Sequence, residues 1–327
     1  MKITNKHLWS SLALSAALFL SARNGNEETV KTEAEESTKV EAVTIENEGM
    51  TITYEDAPTK AVSLNQHVTE IMLALGLEDS MVGTAYLDDE IYEPLQAAYE
   101  EVPVLAEQYP SKEQIISVEA DFLYGGWASA FNEKNIATRE ESKDLEIDSY
   151  LQSSSVKVAP TLGDIQNDIK NIASIFRVDD RGEQLIEEMN EEIAAIQAKI
   201  PEVQEPLKVL VFDSGDTEVF TATQNFMNTL VTMAGGQNVF GDIEDNWATV
   251  SKEDAVERAA DVVVIIDYGT TTAEEKIAFL KADPALSQIP AVQNERFVIL
   301  PLSAASEGVR VAEALEILAK GFYPDAF

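Results

Sequence analysis

Apolar residues between Asp180 and Ile200 fall at Leu185, Met189, Ile193, Ile196 and Ile200, in steps of four, four, three and four. That spacing traces one face of an α-helix. Asp180 with Glu183 three residues on has the form of a capping box, and Pro201 stops the run. About 20 residues at ~1.5 Å each make a rod of roughly 30 Å, the width of a small domain. One strand-and-helix pattern lies before the rod and another after it. The expectation is a rigid connector between two lobes, with a site in the cleft they form.

Before the rod, residues 61–64 and 81–86 read as strands. Residues 69–75 read as a helix closed by Gly76, and 111–118 as a second helix. Residues 121–124 form a strand pattern stopped by Gly125-Gly126, 157–159 a further short one, and 161–176 a helix with Ile165, Ile169, Ile172 and Phe176 on one face. After the rod, strands are expected at 208–212, 262–267 and 297–300, and helices at 225–234, 253–258, 273–281 and 309–320. Strands alternating with helices imply an α/β fold with parallel sheets. The Val- and Ile-rich run at 262–267 reads as a strand buried on both faces.

The chain has 327 residues, enough for two cores, and its 45% hydrophobic content fits a globular protein. Its net charge of -36 disfavours nucleic acid and anionic lipid as partners. Without cysteine it forms no disulfide, thiolate metal site or thiol nucleophile. Lys2 and Lys6 precede an apolar run from Leu8 to Leu20, followed by Ser21 and Ala22. This reads as an export signal over residues 1–23, too short for a membrane span. Leu20-Ser21-Ala22 resembles a bacterial lipoprotein signal, but Arg23 stands where the lipid-bearing Cys is required. Residues 24–49, rich in Glu, read as an acidic disordered tether. The expected lobes then span 50–178 and 202–327, with the connecting helix over 179–201.

SKEQIISVEADFLYG from Ser111 and SKEDAVERAADVVVI from Ser251 align without a gap. Ser-Lys-Glu opens each, and Asp121 and Asp261 follow at the same distance. Recurrence at equivalent points of two lobes points to a duplicated unit.

Ligands of open parallel sheets bind beyond the C-terminal strand ends. The residues there are Asn65, Gln66 and His67, then Tyr86, then Gly125-Gly126-Trp127 in the first lobe. The second lobe offers Asn225 and Phe226, then Tyr268, with Trp247 in a loop before the second Ser-Lys-Glu and Arg310 as the best-placed cation. Amides and aromatics suit a bulky, flat or partly apolar ligand held by stacking and a few hydrogen bonds. For each aromatic alone, core packing is the competing explanation. His67 is the one histidine beyond the signal, so a bare-metal site is not expected. An axial haem ligand, a hydrogen-bond donor and a structural helix start all remain open for it. No G-x-S-x-G is present, and Asp88-Asp89 reads as solvated surface, so catalysis by a hydrolytic constellation is not supported. Glu113 and Glu253 stand at helix starts, either as capping residues or as acidic knobs for a two-fold, Arg-bearing partner.

With APTKAVSLNQHVTEIMLALGLEDSMVG, the two Ser-Lys-Glu segments, AGGQNVF and the end VRVAEALEILAKGFYPDAF, residues 50–327 resemble the iron-complex and cobalamin substrate-binding proteins of ABC importers. Ala120 and Ala260 replace the Pro often found before Asp in that family. The resemblance implies two Rossmann-like lobes joined by one long helix, with the ligand cleft between them. It implies no enzyme activity and no cofactor. The ligand is then an iron-siderophore-type complex, with cobalamin or another corrinoid, and haem, as alternatives. It further implies a permease dimer engaged through Glu113 and Glu253, a cleft role for Trp247, and an exported, extracellular or periplasmic location. A metal-dependent extracellular hydrolase and a non-transporting surface adhesion or sensing module are the readings from other classes.

Overall fold

A computed structural model describes residues 41–132 and 134–327. The expected export signal, and the tether before residue 41, lie outside the described residues.

Two strands, β1 (Val43–Asn47) and β2 (Met50–Tyr54), pair as an antiparallel hairpin. The hairpin takes in residues that composition had assigned to the tether. The reason is local: Val43, Ile45 and Asn47 alternate with more exposed residues. The Asn47 amide also donates to the Leu151 carbonyl (2.8 Å) and accepts from the Leu151 N–H (2.8 Å) and from buried Arg139 (2.7 Å).

The first lobe follows as β3 (Ala61–Leu64), α1 (Gln66–Ala74), β4 (Met81–Ala85), α2 (Gln96–Tyr99), β5 (Val104–Ala106), α3 (Lys112–Ser117) and β6 (Phe122–Gly125). It ends with α4 (Arg139–Asp144), β7 (Asp148–Leu151), α5 (Ser153–Val156) and α6 (Leu162–Ile175). Its sheet runs β5-β4-β3-β6-β7 with every pair parallel. No strand forms at 157–159. There Ala159 takes a left-handed φ of 54° and its N–H donates to the Gln224 carbonyl of the second lobe (2.6 Å).

Helix α7 (Asp179–Gln197) joins the lobes. Its N-cap is Val178, without a side-chain cap, so the expected Asp180–Glu183 capping box does not form; Asp179 and Asp180 occupy the first turn instead. Met189 and Ile193 are buried as the spacing predicts, with Leu185, Ile196 and Ile200 partly buried on the same core.

The second lobe comprises β8 (Leu207–Gly215), β9 (Val219–Ala222), α8 (Phe226–Met233), β10 (Gly236–Asn238), β11 (Trp247–Val250), α9 (Lys252–Glu257) and β12 (Val262–Asp267). It closes with α10 (Ala273–Ala282), α11 (Pro290–Gln293), β13 (Phe297–Pro301), α12 (Leu302–Ala305) and α13 (Val311–Phe322). The sheet runs β11-β9-β8-β12-β13, with β10 on the first residues of β8. Here β8, β12 and β13 are parallel, whereas β9 and β11 are antiparallel. The fold is therefore α/β with two lobes and one joining helix, and only the first lobe is purely parallel. Hydrophobic periodicity marks the buried β12 but not the short β9 or the more exposed edge strand β11.

One core runs through both lobes. Ile165, Ile169 and Ile172 of α6, Met189 and Ile193 of α7, Leu230 of α8, and Leu315 and Leu318 of α13 belong to one cluster of buried side chains. Each lobe adds a smaller cluster on the far face of its sheet.

Candidate functional site

The repeated Ser-Lys-Glu segments adopt the same geometry twice. Ser111 and Ser251 are N-caps, their hydroxyls accepting from the N–H groups of Gln114 and Asp254. Each helix is followed by a left-handed residue at the same offset, Glu119 (φ 52°) and Ala259 (φ 51°). Asp121 and Asp261 then pin the neighbouring strand. The Asp121 carboxylate accepts from the N–H groups of Thr59 and Lys60 (both 2.9 Å), and that of Asp261 from Lys208 N–H (2.9 Å). Glu113 and Glu253 are exposed in the first turns of α3 and α9.

The C-terminal ends of the strands face a cleft between the lobes. A cavity of about 210 Å³ sits in it, lined by Trp127 from the first lobe and by Asn225, Phe226 and Trp247 from the second. Four of the residues expected at the ligand site thus meet in one place. Trp247 stacks on Phe220, with ring centroids 5.3 Å apart and planes at 15°. Trp127 meets the edge of Tyr86 at 6.4 Å, and Tyr86 stacks on Tyr109 at 4.6 Å and 14°. Tyr86 has φ 59°, a conformation uncommon for a bulky residue. Such strain concentrates at functional sites.

Asn65, with φ 99°, begins α1, and its side-chain oxygen accepts from Tyr109 (3.1 Å) and from Trp127 N–H (3.3 Å). It is fully buried, so it positions the aromatic wall from behind. A hydroxyl triangle of Ser63, Thr69 and Thr84 ties α1 to β3 and β4 beneath it. His67 is 1% exposed, with its ring 5.2 Å from Trp127 and its Nε2 3.4 Å from Ser155 Oγ. Gly126 packs so closely that a Cβ there would come 2.5 Å from the imidazole. Burial pulls the His67 pKa down to about 4, so it is neutral at pH 7. His67 thus packs between Gly126, Trp127 and Ser155.

Gln66 and Arg310 are engaged by the protein itself. The Gln66 amide oxygen accepts from the N–H groups of Asp88 and Asp89, and its nitrogen donates to Glu70 and to the Glu90 carbonyl. Arg310 donates from Nε and Nη2 to the two oxygens of Glu70 (2.8 and 2.5 Å) and to the Glu90 carbonyl (2.7 Å). Glu70 is 1% exposed, so this is a buried bidentate pair across the lobes. It takes up the cation expected to meet the ligand. Of the Asp88-Asp89 pair, Asp89 is exposed as expected but also accepts from Ser303 of the second lobe (3.0 Å), whereas Asp88 is half-buried, and burial beside Asp89 raises its pKa to about 6. Tyr268 lies by a separate cavity of about 510 Å³, donating to Asp213 (2.7 Å) under the Lys276 ammonium, 4.3 Å from its ring.

Sequence reasoning missed Glu307, Ser155 and Tyr109. Glu307 lines the Trp127–Trp247 cavity with Ser155, whose hydroxyl donates to the Glu307 carboxylate (3.1 Å). Burial raises the Glu307 pKa to about 7. It lies beyond the C-terminal end of β13, past the short helix α12, where the strand-end rule alone does not reach. Tyr109 stands just before the first Ser-Lys-Glu, as Trp247 stands just before the second.

A family model for periplasmic binding proteins matches residues 62–304. An uncharacterised ABC transporter substrate-binding lipoprotein of Bacillus subtilis is 26% identical over 98% of both chains. A vitamin B12-binding protein of Pectobacterium carotovorum is 24% identical over 64% of this chain and 71% of its own. A periplasmic binding protein from Veillonella parvula superposes with a TM-score of 0.80 at 32% identity, covering 86% of this chain and 98% of its own. A protein of an ABC-type Fe3+-hydroxamate transport system from Saccharomonospora viridis gives 0.73 at 21% identity, covering 86% of this chain and 98% of its own.

Proposed function

The chain belongs to the periplasmic binding protein family, and from that premise we propose that it is the substrate-binding protein of an ABC importer, working outside the cell on a bulky metal complex. The carrying observation is the cavity that Trp127 and Trp247 line from opposite lobes. Two indole faces from separate lobes suit capture by stacking, with no bond made or broken. The kinship with an ABC transporter substrate-binding lipoprotein supports the transport role.

An iron-siderophore-type complex is the proposed ligand. Among the described residues lining the cavity none is Lys or Arg, and Glu307 carries the one carboxylate. Arg310 is held by Glu70. Such a cleft disfavours polyanionic chelates and the paired carboxylates of haem, and favours neutral or cationic complexes such as ferric hydroxamates. A corrinoid is the second reading, favoured by the likeness to a vitamin B12-binding protein.

Glu113 and Glu253, exposed on matching helices, are proposed to engage Arg on the two halves of a permease. Two titrations test the proposal. Tryptophan fluorescence of the full chain is followed with ferric trihydroxamate, ferric catecholate, haem and cobalamin. Saturable quenching by the first, lost in part in Trp127→Phe and in part in Trp247→Phe, is the expected result. Quenching by haem alone sinks the ligand reading. Uptake is then measured with Glu113→Ala and Glu253→Ala combined. Abolished uptake with unchanged ligand binding is expected, whereas unchanged uptake transfers the weight to an adhesion or sensing role.

A further inference from the structure

Resting on the importer reading, we propose that the cavity is a socket for an alkylammonium arm of the ligand, with Glu307 as the specificity-determining group at its base. The observations are of size, wall and floor. A volume of about 210 Å³ is below the range of pockets that enclose a whole drug-sized molecule, so it admits one arm of a bulky complex. Its wall is aromatic: Trp127, Phe226 and Trp247, with Trp247 braced from behind by Phe220. Aromatic faces attract a cation through the ring quadrupole, most strongly where water is excluded.

The floor carries an acid. Ser155 and Glu307 both line the cavity, one from each lobe, and the Ser155 hydroxyl fixes the carboxylate at 3.1 Å. Gln152 holds the Glu307 backbone carbonyl at 2.9 Å, so the residue is anchored from the first lobe at two points. The charged and titratable groups around it are Asp168 of α6, which shares no bond with it, and His67 of α1, reached through Ser155. Burial keeps His67 neutral, so nothing in the floor repels a cation. A buried carboxylic acid without a cation is costly to ionise, and an arriving ammonium supplies the missing partner. An aromatic sleeve ending in an acid is the chemistry of a primary or secondary ammonium on an alkyl chain. It is wrong for a carboxylate or phosphate.

Two probes differing in that group alone decide the matter. One is the ferric complex of a linear trihydroxamate ending in a free primary amine, the other the same complex with the amine acetylated. Calorimetric titration of the full chain at pH 7.0 is expected to show the amine form binding about 30-fold more tightly, the scale of one desolvated charge-assisted contact. Glu307→Gln is expected to bring the two affinities within about twofold of each other. Ser155→Ala, which loosens the carboxylate without removing it, keeps most of the preference. Equal affinities in the unaltered chain, or a preference that survives Glu307→Gln, overturn the socket while the importer reading stands. Binding of neither complex overturns the socket and the hydroxamate reading together.

Discussion

The two lobes carry one motif and build different sheets around it. Ser111 and Ser251 cap equal helices, and Asp121 and Asp261 pin equal strands, yet the first sheet is all parallel and the second turns antiparallel at β9 and β11. The difference falls at the cleft. The β9–β11 pair presents Phe220 and Trp247 on neighbouring strands, whereas the first lobe reaches the same cleft with Tyr86, Tyr109 and Trp127 from loops after parallel strands. A shared frame fixes the strand ends, and the unshared edge sets the aromatic lining.

The comparison breaks first at the contact that joins the lobes. Glu70→Ala leaves Arg310 charged and buried, and is expected to cost about 3–5 kcal/mol in urea unfolding. The loss is far smaller if the lobes are held by the shared core alone, as restoring neutrality with Glu70→Gln plus Arg310→Met tests directly.

Next in size is the acid between the lobes. Glu307 has a pKa raised from 4.5 to about 7, so the folded chain keeps a proton that the unfolded chain has released. Its contribution therefore weakens as pH rises from about 4.5 to 7. His67 acts with the opposite sign: the unfolded imidazole takes a proton below its ordinary 6.5, the folded one near 4, so stability is lost as pH falls through that window. Glu307→Gln is expected to stabilise the chain by roughly 3 kcal/mol at pH 8 and to change little at pH 4. Parallel pH–stability curves for the two chains would show that the carboxyl is hydrated in the folded state.

The smallest effect separates the two copies of the motif. Asp121 accepts two backbone N–H groups and the Thr59 hydroxyl, Asp261 one N–H. Alanine at 121 should cost about 2 kcal/mol and at 261 about 1 kcal/mol in the same denaturant series. Equal losses would show that the copies are energetically as well as geometrically matched.

The elements with strong periodicity were legible. Helix α7 and the buried strand β12 announce themselves through steps of three and four or through an unbroken apolar run. The paired Ser-Lys-Glu helices were legible because caps are local chemistry. The edge strand β11, its neighbour β9 and the hairpin β1–β2 were not, since short strands that mix polar and apolar residues gain their order from the strands they pair with. At the site, the rule of strand ends found Trp127, Asn225 and Phe226, while Trp247, expected in a loop before the second Ser-Lys-Glu, is the first residue of β11. It could not show that Gln66 and Arg310 are occupied, because Glu70 reaches Arg310 across 240 positions of chain.

Helix α7 bridges the lobes, but its buried side is continuous with α6, α8 and α13 in one core. A spacer of that kind does not separate what it joins. Melting either lobe exposes the other's interior, so heating should give a single calorimetric peak whose enthalpy matches its van't Hoff value, and either half expressed alone should remain unfolded. Variation that weakens one lobe is then felt by both, and the binding surface inherits the stability of the whole chain.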